Sequence, residues 1–171
     1  MKWPEPAWPR RLPAKWVVAI ATLGPLGQKM PAPGTWGAAA GVLYTLVFFR
    51  HANWAETIVW TLLASYLAVA LTGEAERRIG RTDPGEVILD EFVVMPLVFL
   101  GWHAGATAAW PDWVVLLAGF GLFRLFDILK PLGISRLQDF PGGWGIVVDD
   151  IAAALAAAGV LQLGALLLLR R

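Results

Sequence analysis

The sequence predicts an all-α integral membrane protein: a multi-pass bundle of about five transmembrane helices, preceded by an N-terminal interfacial or re-entrant helix. Three observations predict it. Of 171 residues, 57% are hydrophobic and 16% charged, with a mean hydropathy of +0.59; soluble domains average about 45 to 50% and about 25%. The apolar residues gather into runs near the roughly 20 residues that cross a bilayer. The Lys and Arg residues fall mostly in loops assigned to one side of those runs.

In chain order, Met1 to Lys15 is rich in Pro, Trp and Arg and lacks the clean apolar run of a cleavable signal peptide, so it reads as a cytoplasmic or interfacial lead-in. Trp16 to Leu26 is apolar, but Gly24, Pro25 and Gly27 end it after about ten residues, too few to span. Five spans follow, at about Trp36 to Phe49, Thr57 to Thr72, Phe92 to Trp110, Trp113 to Leu129 and Ile151 to Leu169. The first and fourth are short, and the fourth carries charges. No repeat or low-complexity tract divides the chain, so residues 1–171 read as one membrane domain.

Positively charged loops are retained in the cytoplasm. With the N-terminus inside, Lys2, Arg10, Arg11, Lys15 and Lys29, the loop with Arg77, Arg78 and Arg81, and the loop with Lys130 and Arg136 are all cytoplasmic. Arg50, Arg170 and Arg171 fall outside, as does the turn at Pro111 and Asp112, flanked by Trp110 and Trp113 at aromatic-belt positions. The expected location is a bacterial inner membrane.

Seven charged residues stand at span ends rather than in loops. Asp90 and Glu91 open the third span, Arg124, Asp127 and Lys130 close the fourth, and Asp149 and Asp150 open the fifth. The derived orientation puts all three groups on the cytoplasmic side. A charge inside a membrane segment costs about 2.5 to 3.5 kcal/mol, so these groups must be paired, solvated or bound. Adjacent carboxylates repel unless a cation lies between them, and magnesium, a hard ion that shares its shell with water and phosphate, is the natural candidate. Arg124, Asp127 and Lys130, spaced i, i+3, i+6, make either an internal salt-bridge stripe or a phosphate grip. Two glycine-rich stretches, Pro33-Gly34-Thr35 and Gly142-Gly143-Trp144-Gly145, lead into helix N-termini on the same side, where free amides favour an anion. Gly34, Thr35 and Gly143 are therefore candidate phosphate contacts.

Some chemistries are excluded. Without cysteine there is no disulfide, thiolate metal site or cysteine nucleophile. His51 and His103 fall on or near the outer side, away from the acids, which removes the histidine phosphatases. The Asp-x-Asp-x-Thr pattern of aspartyl-phosphate enzymes and the carboxylate spacing of transferases acting on CDP-linked alcohols are both missing. A cation or proton transporter remains as an alternative, although its acids should be spread through the membrane depth. A non-catalytic subunit of a larger membrane complex is the other.

At these residues the chain resembles the phosphatidylglycerophosphatase A family. The matching stretches are Pro33-Gly34-Thr35-Trp36-Gly37; Asp83-Pro84 followed by Leu89-Asp90-Glu91-Phe92; Gly119-Phe120 with Phe123 to Pro131; and Gly142 to Asp150, in the family's order over Thr22 to Ala158. Val94 and Gly133 stand where the family commonly has glycine and proline, departures that touch backbone geometry rather than charge. The resemblance implies magnesium-dependent hydrolysis of the terminal phosphomonoester of phosphatidylglycerophosphate. Asp90, Glu91, Asp149, Asp150 and Asp127 would hold one or two ions. Arg124 and Lys130 would stabilise the phosphate. Asp90, Asp127 and Asp150 are the expected catalytic residues, with Asp127 open between ligand, general base and nucleophile.

Overall fold

The computed structural model describes residues 6–103 and 105–169; Lys2, Arg170 and Arg171, used above for orientation, lie outside them. Every regular element among the described residues is helical. Short 3-10 turns at Trp8–Arg11, Ala106–Ala109 and Pro131–Asp139 punctuate seven α-helices: α1 (Ala14–Ala21), α2 (Pro25–Lys29), α3 (Pro33–Phe48), α4 (Trp54–Ile79), α5 (Leu89–Val98), α6 (Asp112–Leu129) and α7 (Gly143–Leu169).

The bundle is apolar outside and buries small hydroxyl side chains among an apolar core. Val47 is 72% and Ile128 67% exposed, whereas Thr61 and Thr72 are fully buried. Apolar surface on this scale marks contact with a membrane or another protein, and α4 and α7 are long and apolar enough to cross a membrane. Small residues let the helices approach closely. On α4 the inward face reads Thr57, Thr61, Ser65, Ala68, Thr72, Ala75; on α7 it reads Ala153, Ala154, Ala157, Ala158. The ends of α4 are set locally. Asn53 and Glu56 form a reciprocal capping box (3.0 and 2.9 Å), and Gly80 stops the helix in the left-handed region at φ 75°.

The expected span Phe92 to Trp110 is not one helix. Helix α5 ends at Val98 after ten residues, about 15 Å. Pro96 lacks an amide hydrogen for the ladder, and Gly101 then turns the chain at φ 74°. Buried irregular backbone needs partners for its polar groups. Here the side chain of Gln162 on α7 does so, donating to Leu100 O (3.1 Å) and Thr107 Oγ1 (3.2 Å) and accepting from Thr107 N (3.4 Å). Thr107 Oγ1 in turn donates to Trp102 O (2.9 Å). The other correction is to α7, which starts at Gly143. Asp149 and Asp150 therefore sit about two turns inside it rather than at its opening.

Helix α5 lies among α3, α4 and α7, and nearly all of its side chains are buried. The N-terminal segment forms a hairpin: α1 packs on α4, Leu23 and Gly24 turn at positive φ, and α2 returns to α3. Eight residues are too few to cross, as expected for Trp16 to Leu26. The N-termini of α5 and α7 and the C-terminus of α6 all converge at one end of the bundle, beside the loop that follows α4.

Candidate active site

That end holds a polar pocket of about 150 Å³, lined by six carboxylates and one ammonium. Asp90 and Glu91 come from the first turn of α5, Asp127 from the last turn of α6, Asp149 and Asp150 from α7, and Asp83 from the loop between α4 and α5. Lys130 caps α6, where Pro131 disfavours further helix, and adopts φ 44°. A non-glycine residue in this region is strained and persists only when its surroundings demand it.

Two cations bind the acids across helices. Arg124 Nη1 donates to Glu91 Oε1 on α5 (2.9 Å) and to Asp127 Oδ2 on its own helix (2.6 Å). Lys130 Nζ donates to Asp149 on α7 and stands 4.0 Å from Asp127 Oδ1. The i, i+3, i+6 stripe is thus a relay joining α5, α6 and α7. Burial alone would lower the Lys130 pKa. The hydrogen bond to Asp149 and the charges of Asp149, Asp127 and Asp150 outweigh it and raise the value, so Lys130 stays charged at any physiological pH.

Six carboxylates against two cations leave an excess of negative charge in a site where Asp90, Asp149 and Asp150 are almost fully buried. Among the described residues Asp90 Oδ1, Glu91 Oε2, Asp149 Oδ1 and Asp150 Oδ2 have no hydrogen-bond donor, and Arg124 Nε has no acceptor. Buried polar atoms are normally paired, so such a concentration of free acceptors marks a place for something positive. The all-oxygen donor set fits a hard cation. Among the described residues no three carboxylates close around one ion by themselves.

The glycines divide by what stands opposite them. A Cβ on Gly34 would collide with the Glu91 carboxylate and reach Arg124 Nη1 at 3.1 Å; one on Gly37 would lie 2.6 Å from Glu91 Oε2. The bare face of α3 is what lets the Glu91 and Arg124 pair form. Gly143, expected at the phosphate, is used otherwise: a Cβ there would strike the Val69 carbonyl and lie 2.8 Å from Gly73 N, so its absence lets α7 cross α4. Thr35 donates its amide to Ala32 O (2.9 Å) and does not line the pocket. Neither histidine lines it: His103 stacks on Trp102 and His51 borders a groove between α3 and α4.

Sequence reasoning missed Asp83 as a site residue. A charge in a loop reads as solvated, and Asp83 is exposed, yet it turns at φ 45°, its amide donates to Glu76 Oε1 (3.1 Å), Gln138 Nε2 stands 3.5 Å from its carboxylate, and it lines the pocket. The adjacent proline and glycine were the available signal.

Comparison with known proteins identifies the family. The family model for phosphatidylglycerophosphatase A matches residues 19–165. The chain is 36% identical over 132 residues to phosphatidylglycerophosphatase A of Haemophilus influenzae, covering 77% of each chain. It is 31% identical over 132 residues to the Escherichia coli protein of that name, covering 75% of this chain and 72% of the other. A Bacteroides thetaiotaomicron protein named, provisionally, as a phosphatidylinositol-3-phosphatase is 34% identical over 134 residues, with 72% and 77% covered. No solved structure matches. On the extent of the model match and the identity of these relatives, the chain belongs to the phosphatidylglycerophosphatase A family.

Proposed function

We propose that the protein is a magnesium-dependent lipid phosphatase that hydrolyses the terminal phosphomonoester of phosphatidylglycerophosphate, giving phosphatidylglycerol and phosphate. One observation carries this reading: six carboxylates, four of them with unpaired oxygens, share one pocket with Lys130, two of them paired with Arg124 beside it, at a single end of an apolar-surfaced bundle. Membership of the family supports the substrate. A transporter would place its acids through the bilayer depth, and these are gathered at one end.

In this reading Asp90, Glu91, Asp149, Asp150 and Asp127 hold magnesium, with Asp83 added to that set. A bound ion supplies charge neutralisation for the phosphate and acidifies a coordinated water. Lys130 and Arg124 donate to the phosphate oxygens where charge builds up in the transition state. Asp127 has one oxygen on Arg124 and the other facing Lys130, which suits it to aim both cations. Asp150 and Asp90, each with a free buried oxygen, are the better placed to receive a proton from the attacking water. Water oxygen bonds to phosphorus as its proton passes to that carboxylate, the bond from phosphorus to the glycerol oxygen breaks, and that oxygen takes the proton from the carboxyl and leaves as an alcohol.

The five-span topology in a bacterial inner membrane belongs to this proposal, with α5 short because the bundle shields it. The basic loops put the pocket on the cytoplasmic side, at the depth of a lipid head group. The test is phosphate release by purified protein in detergent, with magnesium or with a chelator, from phosphatidylglycerophosphate, phosphatidate and phosphatidylinositol 3-phosphate. Release from the first, abolished by chelation, is the expected result. Release only from the third would reassign the substrate, as the Bacteroides relative's name suggests, and release from none would remove the enzymatic reading.

A further inference from the structure

Between Pro6 and Lys29 the chain has four cations, Arg10, Arg11, Lys15 and Lys29, and no carboxylate. None of the four has an ion-pair partner among the described residues, whereas Arg77 and Arg81 nearby are paired with Glu74 and Glu86. Beside these cations stand Trp8, Leu12, Trp16 and Ile20, all exposed, and the Lys15 ammonium lies 5.7 Å from the Trp16 ring centroid.

The retention of basic loops explains why these cations share a side. It does not explain why they are held in place. Arg78 donates to three main-chain carbonyls of this segment, Leu12 O at 2.9 Å and Pro9 O and Arg10 O at 3.3 Å. Its Nε is fixed by Glu74, a carboxylate only 5% exposed, at 2.5 Å. A buried acid thus orients an arginine whose role is to brace the backbone bearing Arg10 and Arg11. The same hairpin touches the catalytic loop: Ile88 N donates to Ala21 O (2.9 Å), and Gly27 lies against the Glu86 carbonyl. A fixed face of unpaired cations and amphipathic aromatics, at the end of the bundle that carries the pocket, has the composition of an interfacial surface that selects negative charge.

We propose that the hairpin from Trp8 to Lys29 is a docking surface for the head groups of anionic phospholipids, distinct from the catalytic pocket and independent of turnover. Aromatic and aliphatic side chains enter the interface, while Arg10, Arg11 and Lys15 take the phosphates. Each cation at an anionic surface is worth about 1 kcal/mol, or roughly fivefold in local lipid concentration.

The test uses the full chain in phosphatidylcholine nanodiscs, with a minor component of brominated phosphatidylserine or brominated phosphatidylcholine. Neither is a phosphomonoester, so the readout, quenching of tryptophan fluorescence, does not depend on activity. The wild type should be quenched at least about fivefold more effectively by the anionic lipid at low salt. The preference should fall to near unity in Arg10→Gln/Arg11→Gln/Lys15→Gln and in high salt, and persist in the charge-conserving Arg10→Lys/Arg11→Lys/Lys15→Arg. Equal quenching by both lipids, or a preference that survives the glutamine substitutions, overturns the proposal. Loss of preference in both triple variants also overturns it, since it would point to packing rather than charge. Binding of soluble polyglutamate in preference to the lipid would mean that the face takes an acidic protein instead.

Discussion

Helix α5 has a buried polar cluster at each end, and α7 contributes to both, with Asp149 and Asp150 at one and Gln162 about 18 Å along at the other. At the far end the groups answer one another. Gln162 meets Leu100 O and Thr107, Thr107 meets Trp102 O, and only the neutral indole N–H groups of Trp102 and Trp110 are left over. At the near end four carboxylate oxygens and one guanidinium nitrogen have no partner, although the groups are as deeply buried. Equal burial with unequal satisfaction separates architecture from chemistry. A closed polar knot holds a helix end in place, and an open one is poised for a ligand.

Substitutions at the two ends should therefore fail in opposite ways. Asp150→Asn and Asp127→Asn should each lower magnesium-dependent phosphate release by about a thousandfold. Thermal unfolding of Asp150→Asn in detergent should not fall, because the change relieves repulsion among crowded carboxylates. Turnover within a few fold of wild type in either variant would remove that residue from the site. Arg124→Lys keeps the charge but loses the fork that spans Glu91 and Asp127, and a loss in kcat of about a hundredfold is expected. An equal rate would mean that Arg124 acts only as a point charge. Gln162→Leu should leave kcat per folded molecule unchanged while lowering stability by about 1–3 kcal/mol, seen as earlier denaturant unfolding, since it orphans the Leu100 carbonyl and the Thr107 amide. Loss of turnover with stability intact would erase the distinction between the ends.

How much of this was legible in the sequence follows from which energies are local. Charges in apolar runs are costly wherever they lie, so Asp90, Glu91, Arg124, Asp127, Lys130, Asp149 and Asp150 were readable as a group before any fold was known. All of these except Arg124 line the one pocket, and Arg124 pairs with two of them. Hydropathy does not report where a helix stops. The run from Phe92 to Trp110 stays apolar through the break after Val98, which depends on Pro96, Gly101 and a glutamine more than 50 residues away. Glycine was the least legible residue. Gly34 and Gly143 both precede or open helices on the same side, yet one faces an ion pair and the other a helix backbone. Only the neighbour across the gap decides which. Asp83 escaped for the converse reason, because a loop carboxylate costs nothing until the loop folds inward.

The shortness of α5 has a mechanical meaning. Pinned by the Gln162 knot at its C-terminal end and presenting Asp90 and Glu91 at the other, it behaves, in the proposed reading, as a strut whose length sets where phosphate is met. Each residue of a helix advances the backbone about 1.5 Å and turns it about 100°. Lengthening or shortening this strut by a single residue therefore swings the acids out of their facing positions, so that the ten-residue measure of α5 is as much a part of the chemistry as the carboxylates it carries.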